Sequence, residues 1–470
     1  MSIVRRVLLS FSFLIASISY ADVTNIYQTH CSGCHGKNLS GGSGSSLIDN
    51  EWKYGGRDED IAQVIKYGAP DMGMPAWGKI LTDEDVRSLV ILIREETKAA
   101  SLTQMQAELA PENGVIEASG HKYSLTTLAE LNGVLWGMAF LPDGSILVTE
   151  RSGSLWQISD KKKRKIIDVA DVWQHGQGGL LDVYLHPDYL NNGWIYMSYS
   201  HSVEPKLFGR DKGITKIIRG KIRNGQWQDQ QTIFELDDKF HTSAGVHFGS
   251  RLAIIDGYLF FSIGDRGDMA LAQQLDKPNG KIFRVHDDGR VPKDNPFVDQ
   301  KGALPEIWSY GHRNPQGMTV ARDGKTLWIT EHGPRGGDEI NIVEKGKNYG
   351  WPVVTHGMNY NGTPMTAHTS KPGMVDPLHY WVPSIAVSDI DFYSGEAFPL
   401  WKNRLLVSGM ASEELHLLDV KGNSIEEDRI ILKNRGRIRD VAVGPKGVIY
   451  LLLNNRGSKT GKLVTMNPVK

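Results

Sequence analysis

Three features of this sequence predict a mainly β protein, a six-bladed β-propeller behind a small all-α domain. From about residue 121 onward a unit recurs: an apolar strand, a turn containing glycine, then another apolar strand, with six copies along the chain. Helix-type periodicity, by contrast, is confined to the first hundred residues. At 470 residues the chain is also too long for one small core, so two domains are expected.

Stretches such as FLPDGSILVTERSGSLWQI, IIDGYLFFSIGDRGD and GPKGVIYLLLNNRGSKTGKLVTM punctuate apolar runs with turn residues, and Asp-Gly between such runs is a strong hairpin signal. Six units over about 350 residues allow roughly sixty residues each, enough for a four-stranded blade with long loops. Radial repetition leaves few exposed sheet edges, which favours a closed ring. Counting alone leaves seven blades or a pair of sandwiches open. The basic run KKKRK (161–165) reads as the solvated hairpin of a blade rather than a binding patch. Most of the twelve tryptophans read as packing between blades.

Composition narrows the partners. The formal net charge is −1, so nothing in the charge points to nucleic acid or an anionic membrane surface. Residues 1–21 read as an export signal. Arg5 and Arg6 supply the positive start, VLLSFSFLIASI is too short to span a bilayer comfortably, and Ser19-Tyr20-Ala21 offers small residues at a cleavage site. No cysteine follows that site, so a lipid anchor is not expected. In a bacterium the mature protein would be periplasmic, with no membrane span.

The chain has two cysteines, Cys31 and Cys34, and His35 follows at once. A disulfide is one use for such a pair in an exported protein, and a thioredoxin-like centre would want a βαβ context that is lacking. The histidine fits c-type haem attachment better. Cysteines three apart lie on one helical face, each able to form a thioether, with the next residue held beneath the iron. Downstream, Met74 in GMPAW is the expected distal ligand, with Met72 as its competitor. Thr82 and Asp85 then announce a helix whose Val86, Leu89, Val90 and Ile93 form an apolar stripe. The segment from Asp22 to about Lys98 resembles a class I cytochrome c carrying one covalent haem. Residues 99–120 have weak periodicity and end in turn formers, so they read as a linker.

In the propeller, polar motifs sit in six separate loops or strand ends: HGQGGLLD (175–182), VHFGSRL (246–252), SIGDRGD (262–268), GHRNPQGM (311–318), EHGPRGGDEIN (331–341) and RGRIRDV (435–441). Blades converge on a central channel, so residues this far apart in sequence can meet round one ligand. These motifs, with GGDEINIV and KGKNYGWP, resemble the soluble pyrroloquinoline quinone (PQQ)-dependent sugar dehydrogenases over most of residues 125–470. The propeller domain is accordingly placed at 121–470.

That resemblance implies specific roles. His247 would be the general base that takes the sugar hydroxyl proton while hydride leaves to the quinone, and Asp265 would orient it. Arg313 and Asn314 would contact the quinone, Arg437 and Arg439 would hold the cofactor carboxylates, and Gln177 and Gln273 would add amide contacts. Gly333 and Pro334 would offer backbone carbonyls to a Ca²⁺ ion. Asp338 and Glu339 look like ligands by charge, but in the family such a pair serves the loop. The expected activity is oxidation of an aldose at C1 to a lactone, with electrons passed to the haem and on to a periplasmic cytochrome, copper protein or oxidase. A homodimer is an open option.

Two departures from the family pattern bear on the substrate. A lysine expected after NRLLV is replaced by Met410-Ala411-Ser412, followed by Glu413 and Glu414. Val246 stands where an acidic residue often precedes the base. Two rivals share the fold: a Ca²⁺-dependent hydrolase or lactonase, and a non-catalytic binding propeller.

Overall fold

The computed structural model describes residues 22–108, 114–159, 162–202, 211–455 and 457–469. The expected export signal lies outside the described residues. Among the described residues no helix is long and apolar enough to cross a membrane.

The N-terminal domain contains helices α1 (Val23–His30), α2 (Ser32–His35), α3 (Asp58–Tyr67) and α4 (Asp83–Glu108). Asp22 caps α1 by accepting the Thr24 N–H at 3.0 Å. At the start of α4, Thr82 and Asp85 bond reciprocally: the Asp85 carboxylate takes the Thr82 N–H at 3.0 Å and the Thr82 hydroxyl takes the Asp85 N–H at 3.1 Å. The stripe of Val86, Leu89, Val90 and Ile93 packs into one apolar cluster with Val23, Ile26 and Tyr27 of α1 and Ile61 and Ile65 of α3. α4 runs on to Glu108, well into the stretch read as a linker. Residues 97–108 lack glycine and proline, and eight of the nine that are not Thr or Ser are strong helix formers such as Ala and Gln, with the ninth a methionine, so intrinsic preference carries the helix where amphipathic patterning fades.

The remainder forms six antiparallel sheets, five of four strands and one of five. Blade 1 holds strands 135–140, 146–150, 154–159 and 162–166, and blade 2 holds 180–185, 195–202, 213–223 and 226–234. Blade 3 holds 252–255, 258–263, 281–286 and 307–310, and blade 4 holds 315–320, 327–331, 338–343 and 379–381. Blade 5 holds 387–392, 405–409, 414–421 and 424–433. Blade 6 joins 437–443, 449–454 and 460–468 to the early strands 121–132 and 115–118. The chain thus closes its ring by pairing Leu131 with Gly461 and Ser124 with Asn467. The first strand of each blade packs beside the first strand of the next, and the sixth returns to the first.

Each blade is buried on both faces, so strands such as Ile146–Glu150 and Leu405–Gly409 are covered at every residue. A separate apolar cluster fills each of the six blade boundaries. Trp328, Trp381, Trp401 and Trp227 belong to these clusters, as the sequence suggests. Lys162–Lys165 form the exposed outer strand of blade 1, where charge discourages edge pairing.

Among the described residues, a buried ionic cluster joins blades on the axis and another braces blade 5. On the axis, Arg251 reaches Asp182 at 3.1 Å, Asp389 at 3.3 Å and Asp440 at 3.3 Å, linking the entry to blade 3 with the inner strands of blades 2, 5 and 6. In blade 5, His416 lies between Asp428 (2.6 Å) and Glu414 (3.1 Å), and Lys433 also bonds Glu414. Burial disfavours the imidazolium, but Asp428 and Glu414 outweigh it and push His416 up to about 9. A base raised in the fold stabilises below its unfolded pKa, near 6.5, and loses that contribution as pH climbs through about 9. Folding stability should therefore fall between those limits, by an amount on the order of 3 kcal/mol, and the melting temperature should fall with it. A His416→Gln chain should start less stable and show a flatter slope over the same range; an unchanged slope would refute the assignment.

Candidate active site

In an antiparallel blade the beginning of the first strand lies beside the end of the second. The registers show this directly, with Leu135 opposite Glu150, Pro315 opposite Glu331, Val387 opposite Gly409 and Arg437 opposite Asn454. Residues entering a first strand or leaving a second strand thus share one mouth of the channel. Gln177, His247, Arg313, Asn314 and Arg437 enter first strands, whereas Asp265 and Gly333 follow second strands. His332 reports their convergence: it lies deep in the ring with one accessible face, and burial together with the charges of Arg313, His247, Arg439 and Arg437 drives its imidazole well below the ordinary value.

His247 Nδ1 lies 2.5 Å from Asp265 Oδ1. Asp265 also accepts the Gly267 N–H at 2.8 Å and the Trp351 indole N–H at 2.8 Å. Burial works against its ionisation, yet the hydrogen bond and charge of His247, the Gly267 amide and Arg313 hold its carboxyl below the usual range. An ionised Asp265 accepts from Nδ1–H, which leaves Nε2 with its lone pair free. The His247 side chain is 15 % exposed, enough to meet a ligand from the channel.

His247 has φ 52°, a left-handed conformation unfavourable for a side chain of this size. Two neighbours, Gln177 and Arg266, hold it there. Its N–H donates to Gln177 Oε1 at 2.8 Å. Arg266 donates to the carbonyls of Val246 and, at 2.5 Å, Ala244, and its guanidinium lies 3.4 Å over the Phe248 ring. The Gln177 loop comes so close that a Cβ at Gly176 would sit 2.1 Å from the Gly245 carbonyl, which explains glycine in HGQGG.

Guanidinium groups gather at the same mouth. The Nε atoms of Arg151, Arg313 and Arg439 are buried without a protein partner. Burial and the like charges of Arg437, Arg151 and Arg251 bring Arg439 down to about 9. Arg313 donates to the His332 carbonyl at 3.2 Å and faces the rings of Trp351 and Tyr360. Asn314 Oδ1 accepts the Gly249 N–H at 3.1 Å, anchoring the His247 loop to blade 4. Unrelieved buried cations are costly, and a polyanionic ligand would relieve them.

Gln273 behaves differently from expectation. Its amide nitrogen donates to Asn348 at 3.0 Å and the Trp351 carbonyl at 2.7 Å, and its oxygen accepts from Asn348 at 2.8 Å. These bonds position Trp351, which in turn holds Asp265. Arg151, Arg266, His332 and Trp351 were not singled out by sequence reasoning. Arg266 lay inside a quoted motif, SIGDRGD, whereas TERSG around Arg151 looks like an ordinary hairpin turn.

The Gly333 loop is built from main chain. Asp338 accepts the Gly333 N–H at 2.9 Å and the Val387 N–H at 3.1 Å, and Ser384 donates to the Pro334 carbonyl at 3.2 Å. A Cβ at Gly333 would lie 2.2 Å from the Gly337 carbonyl oxygen, so the turn admits only glycine. Burial raises Asp338 and, with Glu331, raises Glu339 further. Among the described residues no cluster of three acidic, histidine or cysteine side chains could hold a metal. A cation here would rest on carbonyl oxygens, which Ca²⁺ accepts. At the position of the absent lysine, Met410 Sδ lies 3.9 Å from Arg437, and Glu414 turns into the blade 5 ion cluster.

In the helical domain Cys31 is half-buried and Cys34 exposed, and both are free. His35 Nδ1 lies 2.8 Å from the Ser45 carbonyl, which fixes Nδ1–H as donor and leaves Nε2 for a metal. Met74 is half-buried against the domain's apolar cluster, whereas Met72 is 59 % exposed with Lys53 at 2.9 Å from its sulfur. These residues fit a covalently attached haem with Met74 rather than Met72 facing the iron.

Known proteins match in the same two parts. A family described as Glucose / Sorbosone dehydrogenase matches residues 133–465, and one described as Cytochrome C oxidase, cbb3-type, subunit III matches residues 19–93. Aldose sugar dehydrogenase YliI of Escherichia coli strain K12 is 43% identical over 343 residues, covering 71% of this chain and 90% of the relative. The crystal structure of the E. coli soluble aldose sugar dehydrogenase in its apo form superposes with a TM-score of 0.69 at 40% identity, over 74% of this chain and 100% of that one. The PQQ-bound aldose sugar dehydrogenase of Streptomyces coelicolor gives 0.59 at 25% identity, over 75% of this chain and 100% of that one.

Proposed function

Because the chain belongs to the glucose/sorbosone dehydrogenase family of oxidoreductases and carries a cytochrome c domain, we propose that it is a periplasmic PQQ-dependent aldose dehydrogenase that delivers its electrons to its own haem. The observation that carries this reading is a set of guanidinium groups, Arg151, Arg313 and Arg439, whose buried Nε atoms have no protein partner, gathered at the channel mouth that also holds the His247–Asp265 pair. A ligand with several carboxylates meets those cations, and a sugar hydroxyl meets the imidazole.

Each residue then has a task. Arg439, Arg437 and Arg151 would hold the cofactor carboxylates, and Arg313 with Asn314 would contact its quinone. The carbonyls of Gly333 and Pro334 hold Ca²⁺. Asp265 keeps His247 in the tautomer whose Nε2 accepts the proton from the C1 hydroxyl, and it stabilises the imidazolium that results. Gln177 and Arg266 keep the strained His247 backbone in place. When bound, PQQ supplies the two-electron acceptor for the C1 hydrogen, and the haem supplies a one-electron relay. Cys31 and Cys34 hold that haem, and His35 and Met74 face its iron.

Reconstitution tests the reading. The holoenzyme with haem c, PQQ and Ca²⁺ should reduce its haem when given an aldose, and should form the lactone. A panel of mono- and disaccharides that leaves both the haem and a small redox dye oxidised would reject it.

A further inference from the structure

The helical domain is docked on the propeller. Three residues spaced by four on α4, Arg87, Ile91 and Glu95, face it. The Glu95 carboxylate receives the Arg335 guanidinium through Nη2 at 2.8 Å and Nε at 3.1 Å. Arg87 bonds Asp58 at 2.7 Å and donates to the His356 carbonyl at 3.0 Å. Between them Ile91 comes within 3.5 Å of the Cβ position of Gly336. Met358, from a propeller loop, is completely buried in the helical domain's own apolar cluster. The Val23 N–H on α1 donates to the Gly362 carbonyl at 3.0 Å. An apolar plug flanked by a partly buried charge pair and a charged hydrogen bond is the anatomy of a specific interface. The loop it grips, 335–337, directly follows Gly333 and Pro334.

Resting on the function proposed above, we propose that this docked state is the electron-transfer configuration, held by the Glu95–Arg335 pair and the Met358 plug. Electrons cross between domains fixed in one arrangement, without undocking of the cytochrome. Each aldose oxidised to lactone releases two electrons and two protons. The iron takes one electron per crossing, Fe(III) to Fe(II), and a soluble one-electron carrier, a cytochrome or copper protein, reoxidises it each time. Two crossings complete a turnover, and the protons pass to solvent. Glu95 and Arg335 are positioning residues.

Charge reversal on the holoenzyme tests this. In Glu95→Arg, haem reduction after mixing with sugar should slow at least about tenfold, because two guanidinium groups now oppose each other at a partly buried contact. The radius of gyration from small-angle scattering should rise. Turnover with a small redox dye that draws electrons directly from the propeller should not change. The double reversal Glu95→Arg with Arg335→Glu should restore both haem reduction and dimensions. If Glu95→Arg does not fold, Glu95→Gln should give the same changes in weaker form. Dye-linked turnover with haem reduction indifferent to the reversal would overturn the docking proposal alone. Absence of dye-linked turnover in the wild type would overturn the sugar reading, and this proposal with it.

Discussion

Replacing His247 with glutamine should lower kcat for aldose oxidation about a thousandfold, the usual weight of a positioned general base. The reason is local. Asp265 fixes Nδ1–H, so Nε2 is the lone pair that faces the channel, and a glutamine amide cannot take up a proton there. KM should change little, because the guanidinium wall that would hold the cofactor lies on other blades. Asp265→Asn should cost less, about a hundredfold, since the imidazole survives but loses its preferred tautomer and the charge that stabilises its protonated form. The carboxyl of Asp265 is held below the usual range. A group depressed in this way is ionised at every pH above that range, so its support for His247 is fully present near neutrality and is lost only on strong acidification. Steady-state kinetics with dye and with haem as acceptor would check both variants. A His247→Gln enzyme within a few fold of the parent would remove the base from the mechanism.

Arg439→Ala should weaken PQQ binding roughly a hundred- to a thousandfold, the cost of stripping a charged partner from a buried anion. The same substitution should leave the ligand-free chain as stable as before, or more so. Arg439 is depressed to about 9 by burial and by Arg437 and Arg151. For a base, a lowered pKa means that the fold penalises its charged form, and the penalty is present at neutral pH and fades as pH rises past about 9. Removing the side chain removes that penalty. Fluorescence titration with PQQ and Ca²⁺ gives the affinity, and thermal melts without cofactor give the stability. Lost affinity together with a lowered apo melting temperature would make Arg439 a structural residue instead.

Much of this was legible in the sequence, for physical reasons that also mark where legibility ends. A blade is a local object, so the hairpin signals around DGS and DGY announce strands that the structure contains. His247 and Asp265 stood out because each sits in a polar stretch that a hairpin does not need. Arg151 did not, because its neighbours come from blade 6, some 280 residues away, and are decided by ring closure. Gln273 had the right chemistry at the right end of a blade, but Asn348 and Trp351 use up its amide. The docking face was half visible: Arg87, Ile91 and Glu95 recur at helical spacing on α4, yet nothing in the helix names the propeller loops that meet it.

The Arg251 cluster gives the channel a polarity. Asp182, Asp389 and Asp440 lie two or three residues beyond the point where each inner strand begins, so these carboxylates sit deeper than Arg151 and Arg313, which lie outside their strands at the rim. One cation faces three acids there, and burial lifts Asp182 to about 6 and holds Asp389 well above the ordinary carboxylate range. An incoming polycarboxylate is drawn to the rim and repelled by the floor. The two ends of the ring are therefore electrically unlike, and an anionic cargo is favoured at the mouth over the depth beyond it.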